Sequence, residues 1–153
     1  MITKMKSGKT AKRIAILYWF TTILIFLFEG VMPALTSQSA LAKEGIRHLG
    51  YPEYFGTMLV FFKVAGALAL VLPKVPNRIK EWAYAGFAFD FIAASVSHYS
   101  IDGIGAQSFF PLIVLGILAV SYVTFHKRQK AKIISDTEMS ELESDRQLAS
   151  FRA

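Results

Sequence analysis

The sequence predicts an all-α, polytopic integral membrane protein whose four spanning helices form an up-and-down bundle. Of its 153 residues, 54% are hydrophobic and only 18% are charged, whereas a soluble domain carries about 25% charged residues. The apolar residues form four blocks, each near the length of about 20 residues that a spanning helix needs. The segments that flank these blocks alternate between rich and poor in Lys and Arg. These three features indicate one membrane domain with both termini on the same side.

The four blocks divide the chain into three predicted regions. A basic N-terminus (1–13) precedes the membrane domain (14–126), and a polar tail (127–153) follows, expected to be flexible or to form a short surface helix. The spans are predicted at 14–34, 55–72, 82–98 and 109–125. The second span is expected to stop at Pro73, because helices usually end before a proline. The second and third are short, so helical extensions or flanking aromatic residues would complete the crossing.

The distribution of basic residues predicts the orientation. Five Lys or Arg precede the first span, three lie between spans two and three, and four lie in residues 127–132. The other two connections together contain only Lys43 and Arg47. Because Lys and Arg favour the cytoplasmic side, both termini and the middle loop are expected in the cytoplasm. The predicted location is the cytoplasmic (inner) membrane of a bacterium.

A cleaved signal peptide is the alternative interpretation of the first block. The basic start, the apolar run and the triplet Ala40-Leu41-Ala42 resemble such a peptide with its cleavage site. The run is longer than an ordinary signal-peptide core, however, and it contains Glu29 and Pro33. A retained first span is therefore favoured.

Several classes of chemistry lack the residues they need. There is no cysteine, which excludes disulfides, thiolate metal sites and thiol nucleophiles. No Gly-rich phosphate loop, metal motif or nucleophile–base arrangement is evident, so no catalytic residue and no metal ligand are assigned. The net charge of +6 is explained by membrane topology. The expected partner is the lipid bilayer and not a nucleic acid.

Three ionisable residues interrupt the apolar blocks: Glu29 in the first, Lys63 in the second and Asp90 in the third. Each costs at least about 2.5–3.5 kcal/mol at a helix centre, so such residues are usually paired and functional. With a rise of about 1.5 Å per residue, Lys63 and Asp90 both lie roughly 12 Å below the outer boundary. We therefore predict a Lys63–Asp90 pair, with Glu29 nearby toward the outside.

Small residues are expected to bring the charged helices together. Gly66 in span two and Gly86 in span three lie on the same faces as Lys63 and Asp90, and small residues allow close helix approach. In span one, Glu29 is expected to share a face with Tyr18 and Thr22. The predicted result is a polar lattice inside the bundle, open toward the outer side.

His98 lies at the outer end of the third span. A hydrogen-bonded residue at the membrane boundary is favoured over a metal or haem ligand. His48, in the first outer loop, is expected to be able to approach it, but two histidines at loop edges are weak support for a haem or metal site.

Two interpretations of the charged cluster stay open. The cluster can fix the register of the helices, or it can form a proton path or hold the polar ring of a ligand such as a quinone. In the second interpretation Lys63 donates a hydrogen bond to the ligand and Asp90 keeps Lys63 charged. Glu29 or His98 would then relay a proton.

Five motifs resemble the DoxX-like family of small membrane proteins. They are Tyr18-Trp19 with Thr22, His48-Leu49-Gly50-Tyr51-Pro52, Lys63 with Gly66 and Pro73, Lys80-Glu81-Trp82-Ala83-Tyr84-Ala85-Gly86-Phe87, and Ser97-His98. The resemblance covers residues 14–126 and implies a four-helix membrane protein. The wider family includes a subunit associated with quinone-linked sulfur oxidation, relatives linked to membrane redox complexes, and assembly helpers for other membrane proteins. The absence of cysteine argues against a thiol-based version of the redox role.

The leading functional hypothesis is a component of a membrane redox assembly that binds a quinone-like ligand near Glu29, Lys63, Asp90 and His98. An accessory protein or subunit is favoured over a stand-alone enzyme. The first alternative is a scaffold or assembly factor for other membrane proteins. A proton-coupled transporter ranks last, because four spans leave little room for alternating access without a dimer and no inverted repeat is evident. Association with membrane protein partners or with further copies of the chain stays open.

Overall fold

The computed structural model describes the backbone of residues 2–151 and the side chains of residues 10–144, 146–148 and 151. The basic side chains of Lys4, Lys6 and Lys9, the side chain of Asp145, and the ends of the predicted regions at residues 1 and 152–153 lie outside the described residues.

The described chain is built from helices alone. In order they are α1 (Ile2–Ile25), a π-helical segment (Phe26–Val31), α2 (Met32–Thr36), α3 (Ala40–His48), α4 (Glu53–Val71), α5 (Asn77–Asp102) and α6 (Ala106–Phe151). The first three follow one another without a break. α4 ends just before Pro73, as predicted. α5 has 26 residues and extends beyond the predicted span at both ends, which gives it the extra length that a crossing requires.

Three helical stretches among the described residues are long and apolar enough to cross a membrane: Thr10–Thr36, Glu53–Val71 and Ala106–Leu148. The predicted third span lies within α5, which has the length but is less apolar because Asp90, His98 and several Ser and Tyr residues interrupt it. The structure therefore supports a membrane protein with three apolar spans. The fourth span and the cytoplasmic position of both termini stay predictions.

The long helices contact one another in a ring. α6 packs against α1 and α5, while α4 packs against α5 and against the π-helical segment. The interior is rich in aromatic and branched side chains: Tyr18, Ile25, Leu70, Tyr84, Phe87, Phe91, Leu118 and Phe125. Large apolar side chains also cover the outside, among them Phe20, Phe61, Phe89 and Ile113. A continuous outer surface of this kind suits contact with lipid and not with water.

Two helical segments differ from the sequence-based expectations. α3 lies in the connection between spans one and two, and Ser39 caps it by accepting a hydrogen bond from the amide of Ala42 at 3.2 Å. The predicted tail is also helical, because α6 continues from the last span to Phe151 without interruption. Of the two forms expected for this tail, the structure has the helical one, as an extension of the span and not as a separate surface helix.

The two ends of the molecule differ in character. One end carries α3 and the connection between α5 and α6, and we call it the α3 end; the sequence predicts that it faces outward. The opposite end, which we call the basic end, carries Lys80 and Arg128 and the connection between α4 and α5. The sequence predicts that this end faces the cytoplasm.

Candidate functional site

Lys63, Glu29 and Asp90 meet in the interior where α4 contacts the π-helical segment and α5. Lys63 Nζ donates a hydrogen bond to Glu29 Oε2 at 2.8 Å and lies 3.1 Å from Asp90 Oδ2. The second contact is an ion pair. Asp90 Oδ2 is buried, and apart from this ion pair the described residues give it no hydrogen bond of good geometry. We call these three residues the charged triad. The predicted Lys63–Asp90 contact is present, but the hydrogen bond of Lys63 goes to Glu29.

The π-helical segment positions Glu29. π-helical turns inside α-helices occur frequently at functional sites, and this one places a carboxylate against the neighbouring α4. Gly30 makes the approach possible, because a Cβ atom at this position would lie 2.8 Å from the Cβ of Ala67. Such a distance is shorter than packed carbon atoms allow. Glu29 therefore reaches Lys63 because the next residue has no side chain.

The contact between α4 and α5 uses one of the two predicted glycines. A Cβ atom on Gly66 would lie 3.1 Å from the ring of Phe87, so α5 packs closely there. Gly86, in contrast, has open space where its side chain would be. The prediction that Gly86 forms a close helix contact is wrong. The Phe87 ring makes the contact at this level, and Gly86 instead lines a groove beside it.

Lys63 borders two cavities. A groove of about 560 Å³ between α4 and α5 is lined mainly by apolar side chains, with Lys63 and Asp90 among its lining residues. A second, more polar cavity of about 520 Å³ lies between α4, α2 and α3, toward the α3 end. Leu59 and Lys63 line both cavities. The charged triad thus stands between a polar cavity on one side and an apolar groove on the other.

His98 does not join the charged triad. Its Nδ1 lies 2.8 Å from Asp102 Oδ2, and His48 Nε2 lies 2.5 Å from Asp102 Oδ1. The two histidines approach each other as the sequence suggested, through a carboxylate that sequence analysis missed. The spacing of four residues between His98 and Asp102 on one helix was the available signal. The hydrogen bonds from His98 and His48 hold the pKa of Asp102 below its ordinary value.

A second polar network is neutral and lies toward the basic end. The hydroxyl oxygen of Ser121 lies 2.9 Å from that of Thr22 and 2.9 Å from that of Tyr84. Tyr18 donates to the carbonyl oxygen of Leu70 at 3.4 Å. Tyr18 and Thr22 therefore belong to this network and do not share a site with Glu29. All three side chains are buried on the inner side of the continuous first helical stretch, in agreement with the predicted common face, but Tyr18 and Thr22 lie closer to the basic end than Glu29 does.

The described residues were compared with the groupings of side chains that bind metal ions. Among the described residues, no group of three or more His, Cys, Asp or Glu side chains is placed to hold a metal. His48, His98 and Asp102 form a hydrogen-bonded link between α3 and α5.

These features define an all-helical membrane protein with a buried charged triad beside an apolar groove. The chain matches the DoxX-like family over residues 18–121, and it belongs to this family. The matched region contains the charged triad and both cavities that border Lys63. No curated protein and no solved structure matches the chain.

Proposed function

We propose that this DoxX-like protein is a component of a membrane redox assembly and binds a quinone-like ligand in the groove between α4 and α5. In this proposal it acts as an accessory protein or subunit. One observation carries the proposal: Lys63, a half-buried cation, borders an apolar groove beside a buried carboxylate oxygen of Asp90. Among the described residues this oxygen has an ion pair with Lys63 but no hydrogen bond.

The groove has the properties that a ring-shaped apolar ligand requires. Its volume of about 560 Å³ lies in the range of about 300–1,000 Å³ that small-molecule sites occupy. Apolar side chains form most of its wall, including Leu59, Phe62 and Trp82. A planar ring with a polar oxygen at one edge matches an apolar groove with polar groups at one position.

Lys63 is the residue that would bind the oxygen of the ligand. An ammonium group has three N–H donors, and Lys63 donates one of them to Glu29. Asp90 lies close enough to stabilise the positive charge, while a further donor is left for the ligand. A bound quinone would supply reversible electron and proton chemistry, and the protein residues would bind the ring and hold a proton.

Glu29 is better placed than His98 to hold that proton. One ammonium and two carboxylates carry a formal charge of −1 when all three are ionised, so one added proton makes the triad neutral. Glu29 is hydrogen-bonded to Lys63, and Lys63 borders the polar cavity toward the α3 end. His98 lies about two helical turns from Asp90 and is bonded to Asp102. The proton relay is therefore assigned to Glu29 in this proposal.

The proposal includes four spans, with α5 as the third. Large apolar side chains of α5 point away from the interior, including Phe89, which is 73% exposed, together with Ile92 and Val96. Lipid would cover these side chains if α5 crosses the bilayer. The basic residues of the connections support cytoplasmic termini in a bacterial inner membrane. Because the chain has no cysteine, single cysteines at Lys74 and Gly105 would test the side of each connection by labelling in intact cells.

The experiment uses the full chain purified in mild detergent. Solvent extraction and mass spectrometry would detect a bound quinone, and titration with a short-chain quinone would measure its affinity. Gly86→Leu is the decisive variant, since Gly86 has open space and lines the groove. Gly116→Leu is the matched control, because Gly116 is also exposed in a helix with open space but lies outside the groove.

We expect Gly86→Leu to abolish quinone binding and Gly116→Leu to leave it unchanged. Both variants gain the same helix propensity. A difference in quinone affinity between them would therefore result from the side chain added to the groove. Equal binding by both variants would reject the groove as the ligand site. A wild-type protein that stays empty after quinone is added would reject the quinone-like ligand.

The tail favours a scaffold or assembly factor as the second candidate function. α6 continues past the membrane domain to Phe151 and exposes Ile133, Leu142 and Leu148 along the way. A stable partner protein recovered in a mild-detergent pull-down from the native membrane would support this function if Lys63→Met retained it.

Proton-coupled transport is the third candidate, and uptake into vesicles that depends on a proton gradient would support it.

A further inference from the structure

A third cavity, of about 500 Å³, lies at the basic end among α1, the connection between α4 and α5, and α6. It is separate from the charged triad and contains the side chains of Lys80, Arg128 and Lys132. We propose that this cavity binds a phosphate group, with the headgroup of an anionic phospholipid as the expected ligand.

Lys80 is the central group of this cavity because it is a buried cation. Only 5% of its surface is exposed, and its ammonium donates one hydrogen bond, at 3.0 Å, to the carbonyl oxygen of Leu70. An ammonium has three donors, so two are left for another acceptor. A buried charge without a counterion is costly. An anion in the cavity would supply both the missing acceptors and the missing charge.

Arg128 is held in a position that suits an oxyanion. Its guanidinium carbon lies 4.6 Å from the ring centre of Tyr18 and 5.7 Å from that of Trp19. Stacking on aromatic rings occupies the face of a guanidinium and leaves its N–H edges for hydrogen bonds. Arg128 lies over these two rings, and its N–H groups can donate to a phosphate.

The positive charges of the cavity have no acidic partners. None of the ion pairs among the described residues involves Lys80, Arg128 or Lys132, and no lining residue is Asp or Glu. Burial, and secondly the nearby charge of Arg128, lower the pKa of Lys80. These observations describe an excess of positive charge that an anion would relieve.

The position of the cavity favours a lipid as the source of the phosphate. Lys80 precedes the predicted third span, and Trp19 and Tyr18 lie near the start of the first, where aromatic side chains mark the membrane boundary. Basic pockets between helices on the cytoplasmic side of a membrane bind anionic headgroups. A free phosphate ester offers the same chemistry, and the experiment separates the two sources.

The test uses the full chain in mild detergent and measures binding by native mass spectrometry and by thermal shift. The probes are short-chain phosphatidylglycerol, short-chain phosphatidylcholine and inorganic phosphate. Arg128→Gln with Lys132→Gln removes two charges from the cavity. Lys74→Gln with Arg78→Gln is the matched control, since both are exposed cations at the same end but do not line the cavity. Lys80→Met is measured separately, because Lys80 also binds the end of α4.

We expect phosphatidylglycerol to bind in preference to phosphatidylcholine. The cavity variant should bind at least about tenfold more weakly, the effect of losing one charge-assisted hydrogen bond, while the control variant keeps its affinity. Binding of inorganic phosphate with the same dependence on the variants, but without a preference for phosphatidylglycerol, would support the site and assign it to a soluble ester. Equal losses in the two double variants, or no binding of either anion by the wild type, would overturn the proposal.

Discussion

The charged triad and the neutral network around Ser121 are both buried and polar, but they differ in how their groups are satisfied. Around Ser121, three hydroxyl groups bond to one another between α1, α5 and α6. In the charged triad, one ammonium serves two carboxylates, and Asp90 Oδ2 accepts no hydrogen bond from the described residues. The triad also borders two cavities through Lys63.

This difference suggests different roles for the two regions. The network around Ser121 joins helices, whereas the charged triad has groups that could still bind a ligand. Closed networks of neutral hydroxyls satisfy their donors and acceptors internally and specify how helices pack. A cluster with a carboxylate oxygen that has an ion pair but no hydrogen bond, beside a cavity, can still accept one. Burial and polarity alone would not distinguish these two regions, whereas their hydrogen-bond partners and the neighbouring cavities do.

Lys63→Met is expected to have the largest effect on stability. The variant leaves the carboxylates of Glu29 and Asp90 buried without their cation, and breaking a buried ion pair in this way costs about 3–5 kcal/mol. Thermal or denaturant unfolding in detergent would measure the loss. The neutral triple variant Glu29→Gln, Lys63→Met, Asp90→Asn should recover most of the stability and still bind no ligand. Wild-type stability in Lys63→Met alone would contradict a buried triad.

Ser121→Ala is expected to have an intermediate effect. It removes the partner of the Thr22 and Tyr84 hydroxyls inside the protein, and an unsatisfied buried polar group costs about 1–3 kcal/mol. Unfolding experiments should show this loss. Quinone binding should stay unchanged because the network does not line the groove. A loss of ligand affinity comparable to that of Gly86→Leu would mean that the two polar regions act together.

Asp102→Asn is expected to have the smallest effect, and the effect depends on pH. Hydrogen bonds from His98 and then His48 lower the pKa of Asp102 from its ordinary value of 3.8. A carboxylate with a lowered pKa in the folded state stabilises the fold above its ordinary pKa, and this contribution disappears as the pH falls through the lowered value. Thermal midpoints should therefore fall less steeply with acid in Asp102→Asn than in the wild type. Asp136→Asn, an exposed change in the tail, is the control and should follow the wild-type curve.

The proximity of Lys63 and Asp90 could be predicted from the sequence. Equal numbers of residues from the same end of two neighbouring antiparallel helices bring Lys63 and Asp90 to the same level, because each helix rises by a constant amount per residue. The same calculation placed Glu29 nearby. It did not show which carboxylate would accept the hydrogen bond, since that depends on the rotation of each helix about its axis. Glu29 lies in the π-helical segment, which nothing in the spacing of the apolar residues predicts.

The groove between α4 and α5 and the hydrogen bonds of Asp102 could not be predicted from the sequence, for a different reason. Gly86 was expected at a close helix contact because a small residue allows one. A small residue does not by itself determine where two helices meet. The Phe87 ring makes the contact, and the space at Gly86 stays open. Asp102 lies outside the apolar block, so a search for charges within the membrane passed over it. Its role depends on α3, which brings His48 to the end of α5.

The sequence by itself determined that this is a DoxX-like membrane protein, where its three most apolar helical stretches lie, and which charged residues interrupt the apolar blocks. These are properties of hydropathy, family motifs and helical rise, which are local to each segment. Only the tertiary structure decided that Lys63 bonds to Glu29, that a groove opens between α4 and α5, and that His98 belongs to another cluster. Those outcomes depend on the distances and rotations between helices, which the packing of the whole chain sets.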